Sequence, residues 1–163
     1  MSLPIRNSVR VLLFNEQNEL LLICADDPNI GNNKGRFWFV VGGEREKGES
    51  LLETAAREVF EEAGIEPKDI EFGPPVWYGE IDLMVNGILT HLKQTFIVAR
   101  TKQKKVSLNQ LDQGEKKVIK EVDWFSLERI MNSKEPVYPK IMSKYLPDII
   151  EGRYPEKLMI IDL

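Results

Sequence analysis

This chain of 163 residues holds one cysteine, Cys24, and one histidine, His91. A single thiol forms no disulfide within the chain, and a structural zinc site built on several thiolates is excluded. Cys24 closes the apolar stretch Leu20-Leu21-Leu22-Ile23-Cys24, so it is expected to be buried and inert. No apolar run approaches the roughly 20 residues that cross a bilayer. The opening MSLPIRNS is no charged-then-apolar leader, so no membrane partner and a cytoplasmic location are expected. Positive charge is not in excess either: 22 Lys and Arg face 26 Asp and Glu, for a net charge of −4. That balance argues against binding nucleic-acid polymers, which favours a basic face. A small phosphorylated ligand stays compatible, because metal ions can bring the missing positive charge. Internal repeats, low-complexity tracts and linkers are also missing. With 42% hydrophobic and 29% charged residues, the chain has an ordinary globular composition. One mixed α/β (α+β) domain over residues 1–163 is expected.

Strand and turn signals alternate along the first quarter. Residues 10–14 and 20–24 are short apolar runs separated by Asn15-Glu16-Gln17-Asn18-Glu19, which reads as a hairpin. Residues 26–35, DDPNIGNNKG, read as a loop. Residues 37–41 are aromatic and β-branched and run into Gly42-Gly43. A helix follows, with Ser50 as N-cap and Glu53 completing a capping box. Leu51, Leu52, Ala55, Ala56, Val59 and Ala63 give it one apolar stripe, and Gly64 is the expected left-handed residue past its end. Residues 77–84 and 88–99 flank an Asn86-Gly87 hairpin signal. Residues 100–117 are expected to form a polar surface loop, 118–125 a last strand, 126–131 a short helix and 139–150 a longer one.

The helix after Ser50 carries charge where a helix alone should avoid it. Glu58, Glu61 and Glu62 are spaced i, i+3 and i+4, so their carboxylates emerge on one face. They occupy the last turns, where the macrodipole favours Lys or Arg. Each like-charge pair costs about 0.2–0.5 kcal/mol, and the misplaced charge about another 0.3–1 kcal/mol. A divalent cation would turn that cost into a binding site. Acidic runs on helices are commonly just solvated faces, but that reading leaves the choice of helix end unexplained.

The stretch GEREKGESLLETAAREVFEEAGI, residues 43–65, places Gly43, Glu49, Arg57-Glu58-Val59, Glu61-Glu62 and Gly64-Ile65 at fixed spacing. It meets the pattern G-x5-E-x7-R-E-U-x-E-E-x-G-U, with U an aliphatic residue. The chain therefore resembles the Nudix hydrolase superfamily, also called MutT-like. The resemblance implies a mixed β-sheet sandwiched between helices, with a catalytic loop-helix-loop. It implies that Glu58, Glu61 and Glu62, with the Gly43 carbonyl, hold catalytic Mg²⁺ or Mn²⁺, hard cations that prefer oxygen ligands. Arg57 would orient the carboxylates, and Glu49 would pair with Arg57 near the helix start. The implied reaction is hydrolysis of a diphosphate bond in a nucleoside diphosphate derivative by an activated water. The resemblance leaves the general base open between the box and a later loop, where Glu115 and Glu121 are candidates, each weighed against an ordinary surface glutamate. It also implies a small nucleotide partner and, from many relatives, a homodimer.

One departure is Val41 before Gly42-Gly43, where relatives commonly have proline. Substrate class follows only by elimination. Glu80-Ile81 stands where ADP-ribose-type relatives carry proline, and Asp82-Leu83 where dinucleoside-polyphosphate types place tyrosine. The NADH-type cysteines and a coenzyme A-type signature are missing. Nucleoside triphosphates, oxidised ones included, lead. ADP-ribose or nucleotide-sugar pyrophosphatase and a non-catalytic Nudix-fold nucleotide-binding or regulatory module are the alternatives, and Cys24 is poorly placed for an isoprenoid diphosphate isomerase. Trp77 and Tyr78 are candidates to stack on a base, with core packing the competing reading. Only one of Trp38 and Phe39 can face the site side. Arg36 and Lys34 are candidates to meet phosphate, against solvated loop cations, and His91 reads as structural.

Overall fold

The computed structural model describes residues 2–26 and 35–163. Most of the loop expected over residues 26–35, Lys34 included, lies outside the described residues. Strand β1 (Ile5–Phe14) turns through Asn15, whose side chain accepts the amides of Gln17 and Glu19, and the chain returns as β2 (Leu20–Asp26). The two strands pair antiparallel at Phe14 and Leu20, which closes the hairpin expected from sequence, and diverge beyond that pair. Each strand takes other partners along its length. β2 lies between β3 (Arg36–Val40) and β7 (Ile119–Phe125). β1 lies between β4 (Gly42–Glu44), antiparallel, and β6 (Ile88–Thr101), parallel.

The order β8-β3-β2-β1-β6-β5-β9 is completed by β5 (Ile70–Val85), β8 (Val137–Tyr138) and β9 (Met159–Ile160). β5 and β6 close through Asn86 and Gly87, both at positive φ, as a two-residue hairpin needs. β5 begins seven residues earlier than the sequence pattern suggests, and the strand expected to be last is followed by β8 and β9.

Alternation along the central strands sorts side chains to two faces. Val9, Val11, Leu13, Leu21 and Ile23 pack with Ala55, Val59 and Ala63 of α1 (Leu51–Ala63). Leu12, Phe14, Leu20, Leu22 and Cys24 point the other way. There they meet Ile130 of α3 (Leu127–Met131) and Met142, Leu146 and Ile149 of α4 (Met142–Ile150). The sheet is thus sandwiched between helices, as the resemblance implied. The remaining helix, α2 (Gln113–Val118), interrupts the stretch read as a polar loop. Cys24 is fully buried, and burial pushes its thiol up to about 11. Among the described residues, no helix is long and apolar enough to cross a membrane.

Candidate active site

α1 starts and stops as its sequence dictates. Ser50 Oγ accepts the Glu53 amide at 3.1 Å, Glu53 Oε1 accepts the Ser50 amide at 3.1 Å, and Gly64 ends the helix at φ +74°. Ala55, Val59 and Ala63 fasten one stripe to the sheet, which fixes where the acidic face points. Glu58 and Glu62, only 8% and 4% exposed, turn toward the strand turn at Gly42-Gly43. Glu62 Oε1 accepts the Gly42 amide at 2.8 Å. A Cβ at Gly43 would lie 2.4 Å from Glu58 Oε1, so glycine leaves the space that this carboxylate fills. Glu61 is partly exposed on the same face.

Burial disfavours the charged form of both inner carboxylates. It pushes Glu62 up to about 8, with Arg10 opposing and Glu58 adding to the rise. It also raises Glu58, against the pull of Arg57. The sequence predicts crowding at this helix end, and the crowding is present.

Arg57 gathers the rest of the box. Its Nε and Nη2 meet the two Glu49 oxygens at 2.8 and 2.9 Å, a bidentate grip. Nη1 reaches Glu58 at 2.9 Å and Glu61 at 3.3 Å, and Nη2 also donates to the Glu44 carbonyl. Glu49 accepts the Glu46 amide and the Thr54 hydroxyl as well. Arg57, followed by that amide, holds the Glu49 carboxyl down to about 2. The pairing expected between Glu49 and Arg57 is therefore present.

Among the described residues, no three His, Cys, Asp or Glu side chains converge as a ready-made cage for a cation. Glu58 and Glu61 are drawn to Arg57, and Glu62 to Gly42. The donor set still fits a hard cation: it is all oxygen, it stands on one helix, and two of its carboxylates carry a burial cost that positive charge would relieve.

The outer candidates divide. Glu115 sits in α2 rather than in a bare turn, capped with Asp112, and its charge is felt at Glu62 while that of Glu58 is felt at Glu115. Burial, above all, raises its carboxyl. Glu121 instead pairs with Arg36, which also binds Glu135 at 2.7 Å. Both the base candidate Glu121 and the phosphate candidate Arg36 are thus occupied with each other. Trp77 is fully buried in the core against Phe96 and Tyr145, with its indole N–H unpartnered among the described residues. Tyr78 is half-buried, and burial followed by the charge of Glu80 raises its hydroxyl. It lies three strands from the box, along the register Gly43, Val9, Thr95, Tyr78. Phe39 packs on the α1 side and Trp38 on the other. His91 bridges Asp82 and Glu80, each at 2.6 Å.

Arg10, outside the box, also reaches the site. Its Nη1 donates to the Val40 and Gly42 carbonyls, both at 3.1 Å, and its charge acts on Glu62 and Glu58. The readable signal was a cation inside the apolar run Val9-Arg10-Val11-Leu12, which calls for a nearby anion.

The model of the NUDIX domain matches residues 4–148. The chain belongs to the Nudix family. Solved structures agree. The MutT protein of Methanosarcina mazei Go1 is 26% identical, with a TM-score of 0.64 over 96% of this chain and 99% of that one. An ADP-ribose pyrophosphatase of Streptococcus suis 89-1591 is 19% identical, with a TM-score of 0.59 over 97% and 98%. A UDP-X diphosphatase is 16% identical, with a TM-score of 0.61 over 99% of this chain and 68% of that one. No curated protein matches in sequence. The chain is a Nudix hydrolase, and Nudix hydrolases generally use divalent metal and act on small nucleotide substrates.

Proposed function

We propose that residues 1–163 act as one domain, a Mg²⁺- or Mn²⁺-dependent pyrophosphohydrolase that cleaves the diphosphate bond of a nucleoside triphosphate, oxidised ones included. The observation that carries this reading is the closure of two buried glutamates, Glu58 and Glu62, on the glycine pair Gly42-Gly43. Glu58, Glu61, Glu62 and the Gly43 carbonyl would hold the metal. When bound, such cations neutralise phosphate charge and acidify the attacking water.

Arg57 keeps Glu58 and Glu61 turned toward one face, and Glu49 keeps Arg57 itself in place. Glu115, coupled through its charge to Glu62 and Glu58, is taken over Glu121 as the group that receives the proton of the attacking water. Its Oε1 accepts the Asp112 amide, which leaves Oε2 for that proton, whereas Glu121 is held by Arg36. The triphosphate class rests on elimination. Glu80 and Asp82 stand where other classes carry their signature residues, and both are tied to His91.

A Mg²⁺/Mn²⁺ screen of nucleoside triphosphates, ADP-ribose and UDP-linked nucleotides, with products identified by mass, tests the reading. Triphosphates are expected to be cleaved, and Glu61→Gln or Glu62→Gln is expected to abolish turnover with the fold intact. Preferred cleavage of ADP-ribose or a UDP conjugate would reassign the substrate. Tight nucleotide binding without product would favour a binding module.

A further inference from the structure

We infer that Arg10 is a positioning residue for the catalytic loop: its guanidinium and the Glu62 carboxylate clamp Gly42 from both ends, so that the Gly43 carbonyl and Glu62 are presented together. The inference rests on the hydrolase reading above and adds a residue that lies outside the box.

Gly42 is held at its amide by Glu62 Oε1, at 2.8 Å, and at its carbonyl by Arg10 Nη1, at 3.1 Å. The first bond fixes the peptide before Gly42 and the second the peptide that leads into Gly43. Between them Gly42 has φ +149°, a conformation that L side chains rarely adopt. A Cβ there would meet the Val9 carbonyl oxygen at 2.0 Å, so the turn also lies flush against β1. The same Nη1 takes the Val40 carbonyl at 3.1 Å, which ties the end of β3 to the start of β4.

The β1–β4 ladder does not need this cation. Ser8, Val9 and Arg10 already pair with Glu44, Gly43 and Gly42 through backbone. Arg10 is half-buried, and a cation drawn out of water is costly unless opposite charge or acceptors offset it. The carboxyl groups whose charge would favour the Arg10 guanidinium are Glu62, foremost, and Glu58, both of the box, with Arg6 opposing. Arg10 therefore faces Glu62 across Gly42, as Arg57 faces Glu58 and Glu61 on the outer side. Its guanidinium lies over Phe39, 5.7 Å from the ring centroid, which further limits its freedom.

The test compares wild type with Arg10→Met, which keeps bulk without charge, and Arg10→Lys, which keeps charge without the planar fork. Mn²⁺ affinity of the substrate-free protein is read by electron paramagnetic resonance, and kcat and KM are read separately. R10M is expected to bind Mn²⁺ about 10- to 100-fold more weakly and to lose kcat by a similar factor, the range typical for supports of metal ligands. KM should stay within about twofold, and R10K should fall between the two. A folded R10M with wild-type Mn²⁺ affinity and kcat would overturn the inference. Should R10M not fold, R10K with wild-type values for both would overturn it equally. Wild type that binds no Mn²⁺ and cleaves no nucleotide would sink the hydrolase reading first, and this inference with it.

Discussion

The Glu62 carboxylate accepts the amide of Gly42 at 2.8 Å, 20 residues upstream, and is thereby buried beside Glu58. Its pKa rises from 4.5 to about 8 on folding, chiefly because burial disfavours the charge. The folded protein then keeps a proton that the unfolded chain has released. This contribution to stability is full below pH 4.5 and is lost as pH rises through 8. Metal-free wild type should melt lower across that window, and Glu62→Gln, uncharged but still able to accept the Gly42 amide, should decline less. At pH 8.5 the variant is expected to melt higher by about 2–4 °C, the effect of roughly 1 kcal/mol at this size. Mn²⁺ should stabilise wild type more at pH 8 than at pH 6, because binding requires the carboxylate form. Scanning calorimetry with and without Mn²⁺ checks both.

Neighbouring glycines should fail in different ways. At Gly42 an added Cβ meets backbone, the Val9 oxygen at 2.0 Å, under an unfavourable φ. Gly42→Ala should cost about 3 kcal/mol or more in urea unfolding. At Gly43 the added Cβ meets only the movable end of Glu58, at 2.4 Å. Gly43→Ala should cost about 1 kcal/mol or less, yet weaken Mn²⁺ binding about tenfold or more. Equal losses of stability would contradict this.

His91, between Asp82 and Glu80, has its pKa raised above 6.5, with the bond to Asp82 first among the causes. The contribution of this pairing to stability is present below the unfolded pKa of His and fades as pH rises through the folded one. An NMR titration of the imidazole should show a midpoint above 6.5, and Asp82→Asn should bring it down. An unmoved midpoint would show that the Asp82 contact does not govern the ring.

Trp77 offers a test of core packing against base stacking. Trp77→Phe removes a buried, unpartnered N–H, a gain of about 1–3 kcal/mol, and leaves a small void of opposite sign. Stability should change by about 1.5 kcal/mol or less, and kcat/KM by less than about twofold. A tenfold rise in KM for nucleotide would return Trp77 to the binding site.

The parts of this fold that were legible in sequence are those specified locally. Ser50, Glu53 and Gly64 bound α1, and Asn86-Gly87 sets the β5–β6 hairpin, each by its own backbone preference. The box likewise gave the Arg57–Glu49 pairing and the crowding of acids at the helix end, though not the burial of Glu58 and Glu62. What was missed depends on partners distant in the chain. β4 is three residues, Gly42–Glu44, made a strand only by pairing with β1, and β8 and β9 are two residues each, held by β3 and β5. The divergence of β1 from β2 follows from competition for edges, which no local pattern records. α2 is legible in part, since Asp112 and Glu115 form a capping box inside an otherwise polar stretch. Arg36 and Glu121 each looked free in sequence and satisfy one another in space.

The turn bearing Gly42 and Gly43 is laced to β1, and all ten residues of β1 run parallel beside β6. A loop sewn to an interior strand has no independent way to fray. Its amides are expected to exchange with deuterated solvent more slowly than those of the Asn86-Gly87 tip, so the glutamates opposite it face a steady anvil.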